Sequence, residues 1–219
     1  MNIAFYISGR SGRLSKYLAQ ASEDMINKIV LVFSDDLIES ELREQLDSYS
    51  IRFHEIKYSE LSGINNREKN LELSNKMLAA FLDNSIDYCI SFGSHILSGE
   101  LLSKYKNKII NFHPAILPMF PGINAIDQAK KYGNVLLIGN TAHFIDKGVD
   151  TGPIIMQSVT TMHSFLYEND YDIVLDQQIP MLNRILLAIN NNDIQVIDDR
   201  VHINNADYSI THIYPDYND

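Results

Sequence analysis

Short apolar runs alternate with stretches of helical periodicity along this chain. Buried parallel strands are near-continuous apolar runs, whereas amphipathic helices carry apolar residues every three or four positions. The pattern predicts strands at Asn2–Ser8, Lys28–Ser34, Ile51–Ile56, Ile86–Phe92, Lys108–His113, Val135–Phe144, Ile154–Thr160 and Ile194–Ile197. It predicts helices at Leu14–Glu23, Glu39–Asp47, Asn66–Asn84, Ser98–Tyr105, Asn124–Tyr132 and Asp170–Asn191, with Pro180 kinking or breaking the last.

Strands that alternate with helices predict an α/β fold. We expect a Rossmann-like, mostly parallel twisted sheet with helices on both faces. In such sheets ligands bind beyond the carboxyl ends of the strands. Three loops leave strands at that edge, namely Ser8–Arg13, Gly93–His95 and the loop that follows His113. We therefore expect these loops to line one cleft.

Composition indicates an ordinary globular protein of 219 residues, with 45% hydrophobic and 21% charged residues. We expect one domain over residues 1–200 and a C-terminal tail at 201–219. A net charge of −10 argues against nucleic-acid binding, because phosphate attraction needs a basic surface. The sequence has no apolar run of membrane-spanning length, and Met1 leads straight into a predicted strand. We therefore expect no signal peptide and a cytoplasmic protein with no membrane partner. The single cysteine, Cys89, excludes an internal disulfide and a cysteine zinc site.

The stretch Ile109–Gly122 is where candidate chemistry concentrates. Alternation along the predicted strand puts Asn111 and His113 on the same face. The prolines that follow prevent further ladder pairing and impose a rigid path. A polar pair at the end of a buried strand, before an ordered loop, is a typical position for an enzyme site.

Asp150 is the candidate partner of this pair. An isolated Asp in a tight turn usually caps its own backbone, and a lone His is more often structural than catalytic. The combination changes the interpretation, because an Asn amide can donate to an oxyanion and a carboxylate can orient a His and favour its protonation. This set suits acyl transfer to an amine that is its own nucleophile.

Two motifs carry a family resemblance. They are Asn-Phe-His-Pro-Ala-Ile-Leu-Pro-Met-Phe-Pro-Gly at 111–122 and Thr-Ala-His-Phe-Ile-Asp-Lys-Gly-Val-Asp-Thr-Gly-Pro-Ile-Ile at 141–155. With these motifs the chain resembles the folate-dependent formyltransferase family. The resemblance implies 10-formyltetrahydrofolate as cosubstrate and no metal. It also implies a substrate-binding half at 1–105 and a folate-binding and catalytic half at 106–200.

The resemblance assigns roles to individual residues. Asn111 and protonated His113 would hold the oxyanion, and Asp150 would orient His113 and relay protons. The folate cleft would be lined by Ser94, His95, Ile96 and Leu97 and by the loop Phe144–Asp150, including Phe144, Ile145 and Asp146. Substrate would contact Gly9, Arg10, Ser11, Gly12, Arg13, Arg67 and Pro114. His143 would support the site from its strand.

The chain departs from the purine-synthesis branch of the family at the acceptor site. That branch has a Gly-Ser-Asn phosphate loop where this chain has Ser11-Gly12-Arg13, and a ribose-binding Glu where this chain has Leu175. Backbone N–H groups and Arg13 could still hold a phosphate. In the cofactor region, Ser94 replaces a methionine and His95 an arginine.

These departures leave the amine acceptor open. They slightly favour a nucleotide-linked amino sugar over glycinamide ribonucleotide, although Pro121-Gly122 stands where the sugar enzymes usually have Arg-Gly. A phosphorylated or nucleotide-linked small molecule is expected as partner, and the chain as a monomer or homodimer.

Three other functional interpretations fit the sequence less well. A non-catalytic folate- or nucleotide-binding module would not need the oxyanion residues. A dehydrogenase would need glycines that Gly9 and Gly12 do not supply. A metal hydrolase could use His113, His143, Asp146 and Asp150, but the sequence has no short-spaced ligand pair such as His-x-x-x-His.

Overall fold

The structure, a computed structural model, describes residues 1–163 and 171–215. Its strands are β1 (Ile3–Ile7), β2 (Ile29–Ser34), β3 (Arg52–Glu55), β4 (Tyr88–Ser91), β5 (Ile109–His113), β6 (Leu137–Phe144), β7 (Ile154–Thr161), β8 (Ile194–Ile197) and β9 (Arg200–Ile203). Its helices are α1 (Gly12–Leu18), α2 (Glu23–Ile26), α3 (Ser40–Ser48), α4 (Asn66–Asp83), α5 (Glu100–Lys104), α6 (Ala125–Tyr132), α7 (Asp172–Leu175) and α8 (Gln178–Asn190). A 3₁₀ turn covers Tyr58–Glu60.

The main sheet has seven strands in the order β3-β2-β1-β4-β5-β6-β7. The pairs β1/β2, β1/β4, β2/β3 and β4/β5 are parallel, whereas β6/β7 is antiparallel. Strands β8 and β9 form a separate antiparallel hairpin. The predicted mostly parallel α/β sheet is therefore confirmed.

The chain divides into two compact units, Met1–Asn111 with Phe144–Gly148, and Phe112–His143 with Val149–Asp219. In the first unit every residue of β1 is buried, and one face of α4 packs into the core through Leu73, Met77 and Phe81. Burial of β1 on both faces explains its unbroken apolar sequence. The single domain predicted over residues 1–200 stays a prediction.

In the second unit the core gathers around α6, β6 and α7, through Ile126, Ala129, Ile138 and Val174. Helix α8 lies beside β7 and buries most of one face, including Leu182, Ile185 and Leu186. This unit also buries polar side chains: Asn140, which is fully buried, donates to the Val174 carbonyl at 2.7 Å and accepts from Gln178 at 2.8 Å. These bonds satisfy groups that would otherwise be costly to bury.

The prediction of one long helix from Asp170 to Asn191 is partly wrong. Asp170 lies outside the described residues, and the remainder forms two helices, α7 and α8. Pro180 lies in the first turn of α8, where a backbone N–H has no intrahelical partner to lose. The expected break is confirmed, but it lies at Asp176 and Gln177, just before the turn that contains Pro180.

Two further boundaries differ from the prediction. The helix expected over Leu14–Glu23 ends at Leu18, because Ser22 starts a separate short helix by accepting from the Met25 N–H. The tail at 201–219 begins in strand β9, which pairs with β8 across a tight turn at Asp198 and Asp199, both with positive φ.

Within residues 1–163 and 171–215, the structure has no helix of the length and apolarity that a membrane crossing requires.

Candidate functional site

A His–Asp pair lies where β5 ends. His113 is the last residue of β5 and is 4% exposed. Its Nδ1 lies 3.2 Å from Oδ2 of Asp150, in the turn before β7. The structure thus brings together two of the three residues expected to carry catalysis, although they are far apart in the sequence.

Asp150 is held from three sides. The Gly122 N–H donates to its Oδ2 at 2.7 Å, and Nε2 of the buried His143 lies 3.5 Å from its Oδ1. Burial alone would raise the pKa of Asp150, but the hydrogen bonds from His143 and Gly122 and the charges of both histidines outweigh it and lower that pKa below its ordinary value. The carboxylate form of Asp150 is therefore favoured, and it faces Nδ1 of His113. His143 contacts it from β6, consistent with a supporting position.

Both ring nitrogens of His113 face acceptors. Nδ1 faces the Asp150 carboxylate, and Nε2 lies 2.8 Å from the backbone carbonyl oxygen of Phe120. A carboxylate and a carbonyl only accept hydrogen bonds, so the doubly protonated imidazolium is the form that satisfies both contacts. The arrangement suits a histidine that donates to a negative oxygen.

Asn111 precedes His113 by two residues on β5, so its side chain lies on the same face of the strand. It is half-buried and pairs in register with Ser91 of β4. Pro114 is half-buried directly after the strand.

The proline-containing segment after β5 is anchored by Thr141 of β6. The fully buried Thr141 hydroxyl donates to the Ala115 carbonyl at 2.8 Å and accepts from the Leu117 N–H at 2.9 Å. The amide of Gln157 donates to the Leu117 carbonyl at 3.0 Å and to Thr141 Oγ1 at 2.9 Å. These bonds replace the ladder pairing that the segment lacks, so its path is fixed up to Leu117.

The loop after β1 holds the predicted phosphate contacts. Gly9 has a φ of +59° and its N–H donates to Ser34 Oγ, while Ser11 caps α1 by accepting from the Leu14 N–H. Arg10 is exposed and lies 3.7 Å from Glu39, and Gly12, also exposed, begins α1.

Arg13 points back into the first unit. Its guanidinium lies 4.4 Å from the centre of the Phe92 ring and donates to the Phe92 carbonyl at 3.2 Å. Burial lowers the pKa of Arg13 to about 10. Arg13 therefore packs on Phe92, a role separate from the phosphate contact predicted for it.

A second carboxylate cluster lies at the ends of β1, β2 and β4. Asp35, 1% exposed, accepts at Oδ2 from Tyr6 OH, from Ser8 Oγ at 3.1 Å and from His95 Nδ1 at 2.6 Å. The His95 ring stacks on Tyr58 with centroids 3.5 Å apart. Burial, and then the Asp35 charge, raise the pKa of Tyr6 well above its ordinary value.

The predicted folate-contacting loop after β4 meets the β1 loop in this cluster. The Ser94 N–H donates to Ser8 Oγ at 2.9 Å, and the two hydroxyl oxygens are 2.8 Å apart. Gly93 lies so close to the Tyr6 ring that a Cβ there would come within 2.1 Å of it. Two of the three predicted loops therefore meet.

The remaining predicted contacts vary in exposure. Ser94, Ile96 and Arg67 are exposed, and Arg67 lies in the first turn of α4. Leu97 and Phe144 are buried, and Ile145 is half-buried. Asp146 accepts from the Gly148 N–H at 2.9 Å, so its carboxylate shapes the turn before Val149.

Sequence reasoning missed two features of these clusters. Asp35, directly after β2, could have been found by applying the strand-end rule to that loop as well. The Phe120 carbonyl carries no signal in the sequence, because every residue has a carbonyl. For the metal-hydrolase interpretation, no set of three or more His, Cys, Asp or Glu residues with metal-holding geometry occurs in the part of the chain that the structure describes.

Comparison with known proteins decides the family. A family model described as formyl transferase matches residues 1–171, more than half of the chain. The chain belongs to the formyl transferase family. Among curated members, it is 34% identical over 154 residues to a formyltetrahydrofolate deformylase of Haemophilus influenzae, covering 68% of this chain and 52% of the relative. It is 39% identical over 104 residues to a phosphoribosylglycinamide formyltransferase of Bacillus subtilis, covering 44% of this chain and 51% of the relative.

Solved structures agree on the fold. Glycinamide ribonucleotide transformylase 1 from Symbiobacterium toebii superposes with a TM-score of 0.75 at 24% identity, covering 93% of each chain. At that identity the likeness establishes the formyltransferase fold. The chain spans about half the length of the curated relatives it matches. These relatives are named for glycinamide ribonucleotide and for formyltetrahydrofolate, so they lend no support to the amino-sugar acceptor.

Proposed function

We propose that this protein transfers the formyl group of 10-formyltetrahydrofolate to the amine of glycinamide ribonucleotide. The observation that carries the proposal is the His113–Asp150 pair at the end of the strand that also presents Asn111. Family membership and the Bacillus subtilis relative support the cosubstrate and this acceptor. Of the acceptors considered, glycinamide ribonucleotide now replaces the amino sugar as the favoured one.

The chemistry follows from the residues. The substrate amine attacks the formyl carbon, and the carbonyl oxygen becomes an oxyanion to which the Asn111 amide and the His113 imidazolium donate. The bond from carbon to N10 of the folate then breaks, N10 takes up a proton, and the attacking amine loses one. Asp150 keeps His113 oriented and charged. One oxyanion donor is typically worth ~10²–10³ in rate.

Hydrolysis of the same cosubstrate is the second candidate. The Haemophilus influenzae relative named as a deformylase matches a larger share of this chain than the Bacillus subtilis relative does. Leu175 stands where the resemblance implies a ribose-binding Glu, and its side chain offers no hydrogen bond to a ribose, which also favours hydrolysis. Water would then take the place of the amine, with the same oxyanion contacts.

Product analysis separates the candidates. Purified protein is incubated with 10-formyltetrahydrofolate alone, with glycinamide ribonucleotide, and with nucleotide-linked amino sugars, without added metal. Mass spectrometry follows the formylated amine, and an enzymatic assay follows formate. Formylated glycinamide ribonucleotide with little formate supports the main proposal. Formate release that is independent of amine supports hydrolysis, and tetrahydrofolate formation in no arm refutes both.

Variants test the assignment of roles. Under the proposal His113→Ala and Asn111→Ala lose most turnover while the dissociation constant for folate changes little. The matched control is His202→Ala, which removes an exposed imidazole from β9. A near-wild-type rate in either site variant would refute the role given to that residue.

A further inference from the structure

The contact between the Phe120 carbonyl and His113 bears on how the cosubstrate binds in the proposed reaction. Asp150 occupies Nδ1 of His113, so a ligand oxygen can reach this ring only through Nε2. That atom already lies 2.8 Å from the Phe120 carbonyl oxygen. The ring therefore has no ring N–H left for a formyl oxygen as long as this contact persists.

We propose that the Phe120 carbonyl oxygen occupies the position at Nε2 of His113 that the formyl oxygen takes during the reaction. The formyl oxygen must displace the Phe120 carbonyl before His113 can donate to it. This inference rests on the proposed function. We call the form with this contact the closed form; in it the Phe120 carbonyl holds the His113 ring in place in the resting protein. Since only the open form binds the formyl group productively, the apparent affinity for the cosubstrate is reduced by the fraction of protein that is closed.

The segment is fixed on both sides of Phe120. Before it, Thr141 and Gln157 hold Leu117, and after it the Gly122 N–H is bonded to Asp150. Gln128 donates to the Pro121 carbonyl at 3.1 Å and to the Ile123 carbonyl at 2.8 Å. A displacement that frees His113 is therefore confined to the few residues around Phe120.

The backbone of Phe120 favours release. Its φ of +54° is left-handed, a conformation that a bulky residue rarely adopts and that glycine adopts without strain. The strain weakens the closed contact and keeps it displaceable. Replacing Phe120 with a residue free of this strain should stabilise the closed form and weaken cosubstrate binding.

The test compares Phe120→Ala with Phe120→Gly. Both variants lose the ring, but only glycine relieves the strain. We expect the glycine variant to bind 10-formylfolate, an oxidised analogue of the cosubstrate, about fivefold more weakly than the alanine variant. Its KM for 10-formyltetrahydrofolate should be higher by the same factor, while kcat changes less. Equal or tighter binding in the glycine variant would overturn the proposal.

A matched pair controls for backbone flexibility. Asn205→Ala and Asn205→Gly make the same change at an exposed residue with a φ of +60°, far along the chain from His113. These two should differ in thermal stability and not in KM. A KM difference as large as that of the Phe120 pair would overturn the proposal.

Nitrogen NMR of the free protein tests the contact itself. The Nε2 proton of His113 should exchange with water more slowly in Phe120→Gly than in Phe120→Ala, and equal exchange would overturn the proposal. If no variant binds 10-formylfolate, the proposed function fails and the displacement with it. If all variants bind it equally, only the displacement fails.

Discussion

Nε2 of His143 and Oδ1 of Asp150 lie 3.5 Å apart, while the other carboxylate oxygen faces His113. Asp150→Asn removes the charge and turns one of these oxygens into a donor that faces a histidine. We expect kcat for formyl transfer to fall ~10²–10³-fold, because His113 loses the carboxylate that faces its Nδ1. Steady-state kinetics with glycinamide ribonucleotide check this. Asp207→Asn, an exposed carboxylate bonded to Ser209, should retain full activity. An Asp150→Asn enzyme within tenfold of the wild type would contradict the role given to this residue.

The same carboxylate makes stability depend on pH. The folded-state pKa of Asp150 is lowered, so the stabilisation it provides is present above the unfolded-state pKa of about 4 and is lost as the pH falls through the folded value. Urea unfolding of wild type and Asp150→Asn should give a free-energy difference that shrinks as the pH falls below about 4. A difference that grows on acidification would mean that the pKa is shifted in the other direction.

Arg13 should stabilise the fold through its contacts with Phe92, in addition to any contact with phosphate. Arg13→Lys keeps a positive charge but loses the planar group that lies over Phe92 and donates to its carbonyl. We expect a loss of about 1 kcal/mol in the free energy of unfolding. Chemical denaturation measures the loss, and Arg10→Lys on the exposed side of the loop should change stability by less than about 0.5 kcal/mol. Equal losses in the two variants would refute the packing role.

Asp35 and Asp36 are neighbours with opposite environments. Asp35→Asn leaves Tyr6, Ser8 and His95 facing an amide that can accept fewer hydrogen bonds than the carboxylate. We expect a loss of about 3 kcal/mol in the free energy of unfolding. Asp36→Asn is the matched control, because Asp36 is exposed and accepts from the adjacent Leu37 N–H. We expect this variant to lose less than about 1 kcal/mol in the free energy of unfolding. Calorimetry distinguishes the two. Comparable losses would mean that the buried cluster is not cooperative.

Thr141→Val tests the anchor of the segment after β5. Valine keeps the shape but leaves the Leu117 N–H without its acceptor and the Ala115 carbonyl without its donor. We expect a loss of about 2 kcal/mol in stability and a fall in kcat, because the segment that follows His113 loosens. Thr160→Val on β7 controls for the substitution itself. A Thr141 variant with unchanged stability would show that water replaces the hydroxyl.

Much of the fold could be predicted because burial determines the sequence pattern. Strand β1 is buried throughout, and its apolar run is correspondingly unbroken. The error at Leu14–Glu23 came from local chemistry, since Ser22, Glu23 and Asp24 form a helix start that interrupts an otherwise continuous helical pattern. The helix break near Pro180 could be predicted because a proline acts locally, through its own missing N–H.

The candidate site could be predicted only where side chains define it. The pairing of His113 and Asp150 could be anticipated from the combination of residue types and from the family resemblance of the two motifs that hold them. The Phe120 carbonyl and the Gly122 N–H act through the backbone, and which backbone groups converge depends on tertiary path. The same applies to the acceptor site, because backbone N–H groups in the β1 loop can substitute for absent side chains.

The close approach of Gly93 to the ring of Tyr6 links two positions that are remote in sequence. Any side chain at 93 would push the phenol away from Asp35. Relatives with a smaller residue in place of Tyr6 could accept alanine at 93, whereas those that retain the phenol should retain the glycine. The pair should therefore covary across the family, and the buried carboxylate at 35 should be kept or lost together with the tyrosine.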